Sequence, residues 1–156
     1  MFRIFKTKVI DPLLHLLKQG VSPQKLALAT VIGMGMGVMP VLGVTTMICA
    51  GLAFLLRLNM VAIQVVNYAM YPLQLMLFLP FLQAGANFMD VPLALFSIEQ
   101  VLALFDKGWL VAGQQLGGAV LGAVLVWSLT VPLVAFLLYF VLVMIYEKAL
   151  VKLNSK

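Results

Sequence analysis

The sequence predicts an all-α integral membrane protein: a helical bundle with proline- and glycine-broken helices, a re-entrant pair being one form the break can take, and amphipathic helices on the surface. Three observations predict it. The 156-residue, 17.1 kDa chain is 64% hydrophobic and only 10% charged, with a mean hydropathy of +1.14. Soluble domains carry about 45–50% apolar and about 25% charged residues. Two long stretches, Leu26–Leu56 and Trp109–Tyr146, contain no charged residue. The basic residues gather at the ends, Arg3, Lys6, Lys8, Lys18 and Lys25 before the first run and Lys148, Lys152 and Lys156 after the last, as the positive-inside rule expects of cytoplasmic segments. Disorder is excluded by the apolar content, and the length allows one domain, residues 1–156.

Residues 1–25 read as a basic interfacial segment. Phe2, Phe5, Val9, Leu13, Leu16 and Leu17 recur at helical spacing, with Arg3, Lys6, Lys8, Asp11, His15 and Lys18 in other directions. Asp11-Pro12 predicts an N-cap and first helical residue, Gly20 a stop, and Ser22-Pro23 the next start. No cleavage site follows a continuous apolar core, so the sequence predicts that the N-terminus is retained. His15, the single histidine, falls on the polar face as a solvated side chain.

The first membrane half spans 26–84. Leu26–Leu56 is generous for one span of about 20 residues and short for two. The Pro40-Val41-Leu42-Gly43 sequence predicts a break within it. Such non-helical backbone at membrane depth must be buried in protein or face a watery cavity. Ala29, Gly33 and Gly37 are small residues four apart, a helix-packing face. Cys49 is expected as a small buried hydrophobe. Met60–Gln83 forms the next membrane segment, kinked or discontinuous at Pro72 and Pro80, with Gln64, Asn67, Tyr71 and Gln74 predicted on one inward face and Tyr68 beside them.

Residues 85–108 hold Asp90, Glu99 and Asp106 against Lys107 and read as an extracytoplasmic amphipathic segment, with Ser97 and Gln100 at capping-box spacing. The second membrane half, 109–147, carries Gly113, Gly117, Gly118 and Gly122 as helix-packing glycines. Trp109 and Tyr146 are expected as interface anchors. As one straight helix Trp109–Tyr146 would measure about 57 Å, so it must tilt, protrude or break near Ser128–Pro132. The basic tail is 148–156. Both termini are expected in the cytoplasm, with an even number of crossings.

Catalytic chemistry has no support. No His, Cys, Asp and Glu cluster has metal-ligand spacing, the lone His15 suits no nucleophile, and Gly33–Gly37 matches neither phosphate-binding nor dinucleotide-binding glycine patterns. No cofactor, no metal and no nucleic acid are expected, the last because no basic face on a soluble module is present.

Gly20-Val-Ser22-Pro23, Leu26-Ala27, Gly33, Gly37-Val-Met-Pro40-Val-Leu-Gly43, Thr45-Thr46, Leu52-Ala53 and Arg57-Leu-Asn59 resemble the bacterial membrane family known as domain of unknown function 2062. Its pattern includes a proline-started helix, a GxxPxxG turn, an RxN element and then Asn-Pro. Here Tyr71-Pro72 stands where Asn-Pro is expected and Gln74 where threonine is common; Asn67 is the nearest asparagine. The resemblance implies a small cytoplasmic-membrane protein of a family with no settled activity, some of whose relatives are joined to glycosyltransferase domains.

The expected function is binding or translocation of a lipid-linked or amphiphilic envelope precursor at an interior site of Pro40, Gly43, Arg57, Asn59, Asn67, Tyr71 and Gln74. Arg57 is expected at the interface, near a phosphate-bearing group. The alternative is a non-catalytic anchor or scaffold for a partner enzyme such as a glycosyltransferase. Membrane lipids are the expected partners, with a second copy or a membrane enzyme as the protein partner.

Overall fold

The computed structural model describes residues 9–41, 43–89 and 98–154, and every regular element among them is a helix. The readings of residues 2–8, Leu42, Asp90, the Ser97 cap and Lys156 lie outside the described residues. The helices are α1 (Asp11–Lys18), α2 (Pro23–Gly37), α3 (Thr45–Leu55), α4 (Met60–Ala69), α5 (Tyr71–Phe88), α6 (Ile98–Asp106) and α7 (Trp109–Asn154).

Local sequence explains most boundaries. Gly20 closes α1 at φ +90°, with Gly20 N–H donating to Leu17 O and Val21 N–H to Leu16 O, the Schellman pairing that glycine allows. Ser22 then caps α2, its side chain accepting from Lys25 N–H, and Pro23 opens the helix. Asp11 is not the expected cap. It is the first helical residue, behind an Ile10 that makes no side-chain cap, and there its carboxylate complements the helix dipole.

The core joins α1, α2, α3, α4 and the end of α7. Leu13 and Leu17 of α1 pack with Leu26, Ala27, Cys49, Ile63, Val66 and Tyr146, all buried. The apolar stripe of α1 is therefore spent on protein. Cys49 is fully buried, as expected, and His15 is exposed. Tyr146 overturns its expectation as an interface anchor: it is 7% exposed, and its hydroxyl lies 3.0 Å from Thr30 Oγ1. Thr30 gives its own proton to Leu26 O at 2.8 Å, so Tyr146 is the donor in the pair.

A second cluster joins α5 to α7 through Leu82, Ala86, Leu116 and Ala119. Here the backbones touch. A Cβ at Gly85 would collide with Ala123 and with the Ala119 carbonyl, and one at Gly122 would collide with Gly85. Of the predicted packing glycines in this half, Gly122 is used this closely, whereas Gly113 and Gly117 have nothing within 4 Å of a would-be side chain; Gly118 is half-buried. Because α5 continues through Gly85 to Phe88, the boundary expected at residue 84 falls inside a helix.

Of two further breaks expected at prolines, one occurs and one does not. Met60–Gln83 is two helices meeting at Met70, bent by 62°. Pro72 sits in the first turn of the second, where a missing N–H costs nothing. By contrast α7 runs 46 residues without interruption through Pro132, about 69 Å of helix. Hydroxyls soften the turns before that proline, Ser128 Oγ donating to Leu125 O and Thr130 Oγ1 to Val126 O, both at 2.8 Å. The break expected near Ser128–Pro132 does not occur. Among the described residues, one helix is long and apolar enough to cross a membrane, over Leu116–Leu153; the bent pair α4–α5 passes the same criterion if counted as one span.

Candidate functional site at the helix break

The break after α2 is shaped by close approach. A Cβ on Gly33 would lie 2.7 Å from Ile63 O, and one on Gly37 would lie 2.6 Å from Met70 Cβ and 3.0 Å from Asn67 O. Ala29, the third of the small residues, is fully buried. Contacts advance together along both chains, so α2 and α4 run side by side in the same direction. Their C-terminal ends meet at Gly37 and Met70.

Beyond Gly37 the chain leaves the helix, Pro40 is fully buried, and Gly43 turns at φ +90° on the exposed side before α3 begins at Thr45. Both shoulders of this turn are held by carboxamides. Gln74 Nε2 of α5 donates to Met39 O at 2.8 Å, and Gln64 Nε2 of α4 donates to Thr46 O at 3.0 Å. Asn67 lies between them in sequence and is 5% exposed. Its Oδ1 and the Gln64 Oε1 are buried without a hydrogen-bond partner. An unpaired buried acceptor costs about 1–3 kcal/mol.

The polar residues expected on one face therefore divide. Gln64, Asn67 and Gln74 face inward from two helices. Tyr71 (53% exposed) points outward because the bend at Met70 turns the start of α5 off the face that α4 presents, and Tyr68 (61%) points outward from α4 itself. Arg57 and Asn59 do not join the break. They lie at the opposite end of α3, an 11-residue helix about 16 Å long. Asn59 caps α4, its Oδ1 accepting from Ala62 N–H at 3.0 Å. Arg57 closes α3 in the left-handed region at φ 51°, with its own N–H donating to Phe54 O and that of Leu58 to Ala53 O. That is the pairing seen at Gly20, here with an arginine where glycine is the rule. Arg57 is exposed, forms no ion pair with a described residue, and overhangs a hollow of about 590 Å³ with Phe54 and Leu58.

An apolar groove of about 530 Å³ runs between α2, α3 and α7, lined among others by Val31, Gly35, Leu52, Trp127, Pro132 and Phe136. Trp127 Nε1 donates to Gly35 O at 3.0 Å, a link between α7 and α2 that sequence reasoning missed. A tryptophan in the middle of an uncharged run was its signal, since an indole N–H held away from water needs an acceptor. Among the described residues no three His, Cys, Asp or Glu side chains come together as a metal site.

A family model described as an uncharacterized protein conserved in bacteria, the domain of unknown function 2062, matches residues 6–152. The chain belongs to this family. No curated protein and no solved structure matches it. The match reaches from α1 into the last turns of α7, well past the Gly20–Asn59 stretch that carries the sequence resemblance. In this member of the domain of unknown function 2062 family, the GxxPxxG element is the pinned turn between α2 and α3. The RxN element is a helix stop followed by a helix cap.

Proposed function

We propose that this protein is a multi-pass protein of the bacterial cytoplasmic membrane, with both termini inside, that binds and moves an amphiphile such as a lipid-linked envelope precursor. The observation that carries the reading is the apolar groove between α2, α3 and α7, whose Leu52 wall leads within two helical turns to the exposed guanidinium of Arg57. An acyl or polyprenyl chain suits the groove, and an anionic headgroup suits an arginine without an acidic partner. The surroundings agree with a lipid solvent. Met47, Phe54 and Leu55 of α3 and Leu129, Leu133 and Leu137 of α7 are each more than 60% exposed, and exposed apolar faces of this kind mark contact with a membrane or a partner. Photolabelling in proteoliposomes tests the reading, using an anionic phospholipid with a diazirine near its tail end. Label should concentrate on Leu52, Trp127 and Phe136 and fall when Arg57 is changed to Gln. Uniform labelling of the outer face of α7, unaffected by Arg57→Gln, would overturn it.

The scaffold reading is favoured by a different observation. Gly113 and Gly117, one helical turn apart on α7, have open space around them, and small residues at that spacing let another helix approach. The two readings separate on Asn67→Leu and Gln74→Leu, measured for thermal stability in detergent and for complementation of a deletion strain. Loss of activity in a folded, inserted protein supports transport. Activity that merely follows stability supports the scaffold.

A further inference from the structure

The Trp127 indole crosses the apolar groove instead of lying along its wall. It projects from α7 and donates through Nε1 to Gly35 O of α2 at 3.0 Å, so the ring bridges the two helices. The acceptor is available because α2 is ending. Met39 N–H, four residues on, donates to Met36 O instead of continuing the helical ladder onto Gly35 O. The groove stops at this crossbar: Trp127 is the first residue of α7 that lines it and Met36 the last of α2. Gly35 lies in the last turn of α2, at the break. From the break α3 runs back along α2, because the α4 that follows it again runs in the direction of α2. Arg57, just past the end of α3, and the indole therefore lie towards opposite ends of the groove.

We propose that Trp127 is the stop for the tail of the bound amphiphile, and that the occupant is a single acyl chain of limited length. The inference rests on the amphiphile reading and narrows it, setting the polyprenyl chain aside. The α2 wall from Leu28 to Met36 is about 12 Å long and the α7 wall from Trp127 to Phe140 about 20 Å. An extended chain advances about 1.2 Å per bond, so about 10–16 carbons fill the groove up to the ring. Tryptophan is a large, rigid side chain with two torsions, and swinging it aside leaves both its N–H and the Gly35 carbonyl without their partner. A longer tail has to bend out into the bilayer at the indole.

The test is a chain-length series in proteoliposomes, with short, matched and long alkyl phosphates of about 8, 14 and 22 carbons. Each carries a diazirine on its last carbon and is present at the same mole fraction of the bilayer. The signal is the groove label that is lost in Arg57→Gln, read residue by residue. In wild type the matched probe should label Trp127 most strongly, and the forced bend should reduce groove labelling by the long probe about two- to tenfold. Trp127→Ala should bring the long probe level with the matched one. A long polyprenyl phosphate should fail to displace the matched probe from wild type. Should Trp127→Ala fail to fold, Trp127→Phe, which keeps a ring but cannot bond to Gly35, should still raise the long-probe label. Equal wild-type labelling by the matched and long probes, or an unchanged length profile in the variant that folds, would overturn the stop alone. Labelling that ignores Arg57 at every length would overturn the amphiphile reading with it.

Discussion

Arg57 holds a conformation that costs a side chain with a Cβ roughly 1–2 kcal/mol, in a turn whose twin at the end of α1 uses Gly20. A residue retained against its own backbone preference is a candidate for function. Arg57→Gly should therefore stabilise the fold by about 1 kcal/mol, raising the melting temperature by about 2–4 °C, while removing the lipid photolabel from the groove. A lower melting temperature would show that the arginine serves the fold. At the buried pair Thr30–Tyr146, a double-mutant cycle of Thr30→Val and Tyr146→Phe should return a coupling of about 0.6 kcal/mol, typical of hydrogen bonds between membrane helices; a coupling of zero would remove the bond from the account of the core. The sequence marked Arg57 and Asn59 as a pair through the family pattern. Their work as stop and cap was not legible, because nothing local distinguishes an arginine destined for φ 51° from one in an ordinary turn. Tyr146 was misplaced for a related reason: a tyrosine near the end of an apolar run suits an interface equally well, and its partner is 116 positions away.

Elements meet through glycine, and the sequence shows the glycines without saying which ones matter. Gly122→Ala would drive a methyl into the Gly85 backbone, and overpacking of that kind costs about 1–3 kcal/mol, a fall of about 3–10 °C in melting temperature. Gly113→Ala and Gly117→Ala, with open space around them, should raise it by about 1–4 °C through the lower helix cost of alanine. If the Gly113 and Gly122 changes gave equal effects, the close contact of α5 with α7 would be wrong. Spacing alone could not separate Gly113 from Gly122, since every GxxxG pattern in a long helix looks alike until a partner selects one face. Breaks were legible where proline coincided with glycine, as at Pro40–Gly43. The bend at Met70 was legible too, as a kink or discontinuity at Pro72 two residues on, whereas Pro80 and Pro132 lie inside helices that continue through them.

For the whole molecule, the all-helical class followed from composition and hydropathy, whereas the path of the chain did not. The proposed topology places Lys18 and Lys152 in the cytoplasm and Glu99 outside. Single cysteines at these positions, with buried Cys49 as the only other thiol, should react with an impermeant maleimide in whole cells at Glu99→Cys alone. Labelling of Lys152→Cys from outside would overturn the topology. Arg57 and the break, read from sequence as one interior site, occupy opposite ends of α3, and only the fold separates them. Residues adjacent in a pattern need not share a wall.

Three fastenings hold α7: Gly122 against Gly85 of α5, then Trp127 and Tyr146 against Gly35 and Thr30 of α2, the outer two about 36 Å apart along the rod. The two bonds to α2 make α7 and α2 a single splint, so a shift of α5 against it is taken up over the short length between Gly122 and Trp127. Gln74, which reaches from α5 to the Met39 carbonyl just beyond α2, bridges the same seam, and a shift of α5 would be felt first at the turn that holds Pro40.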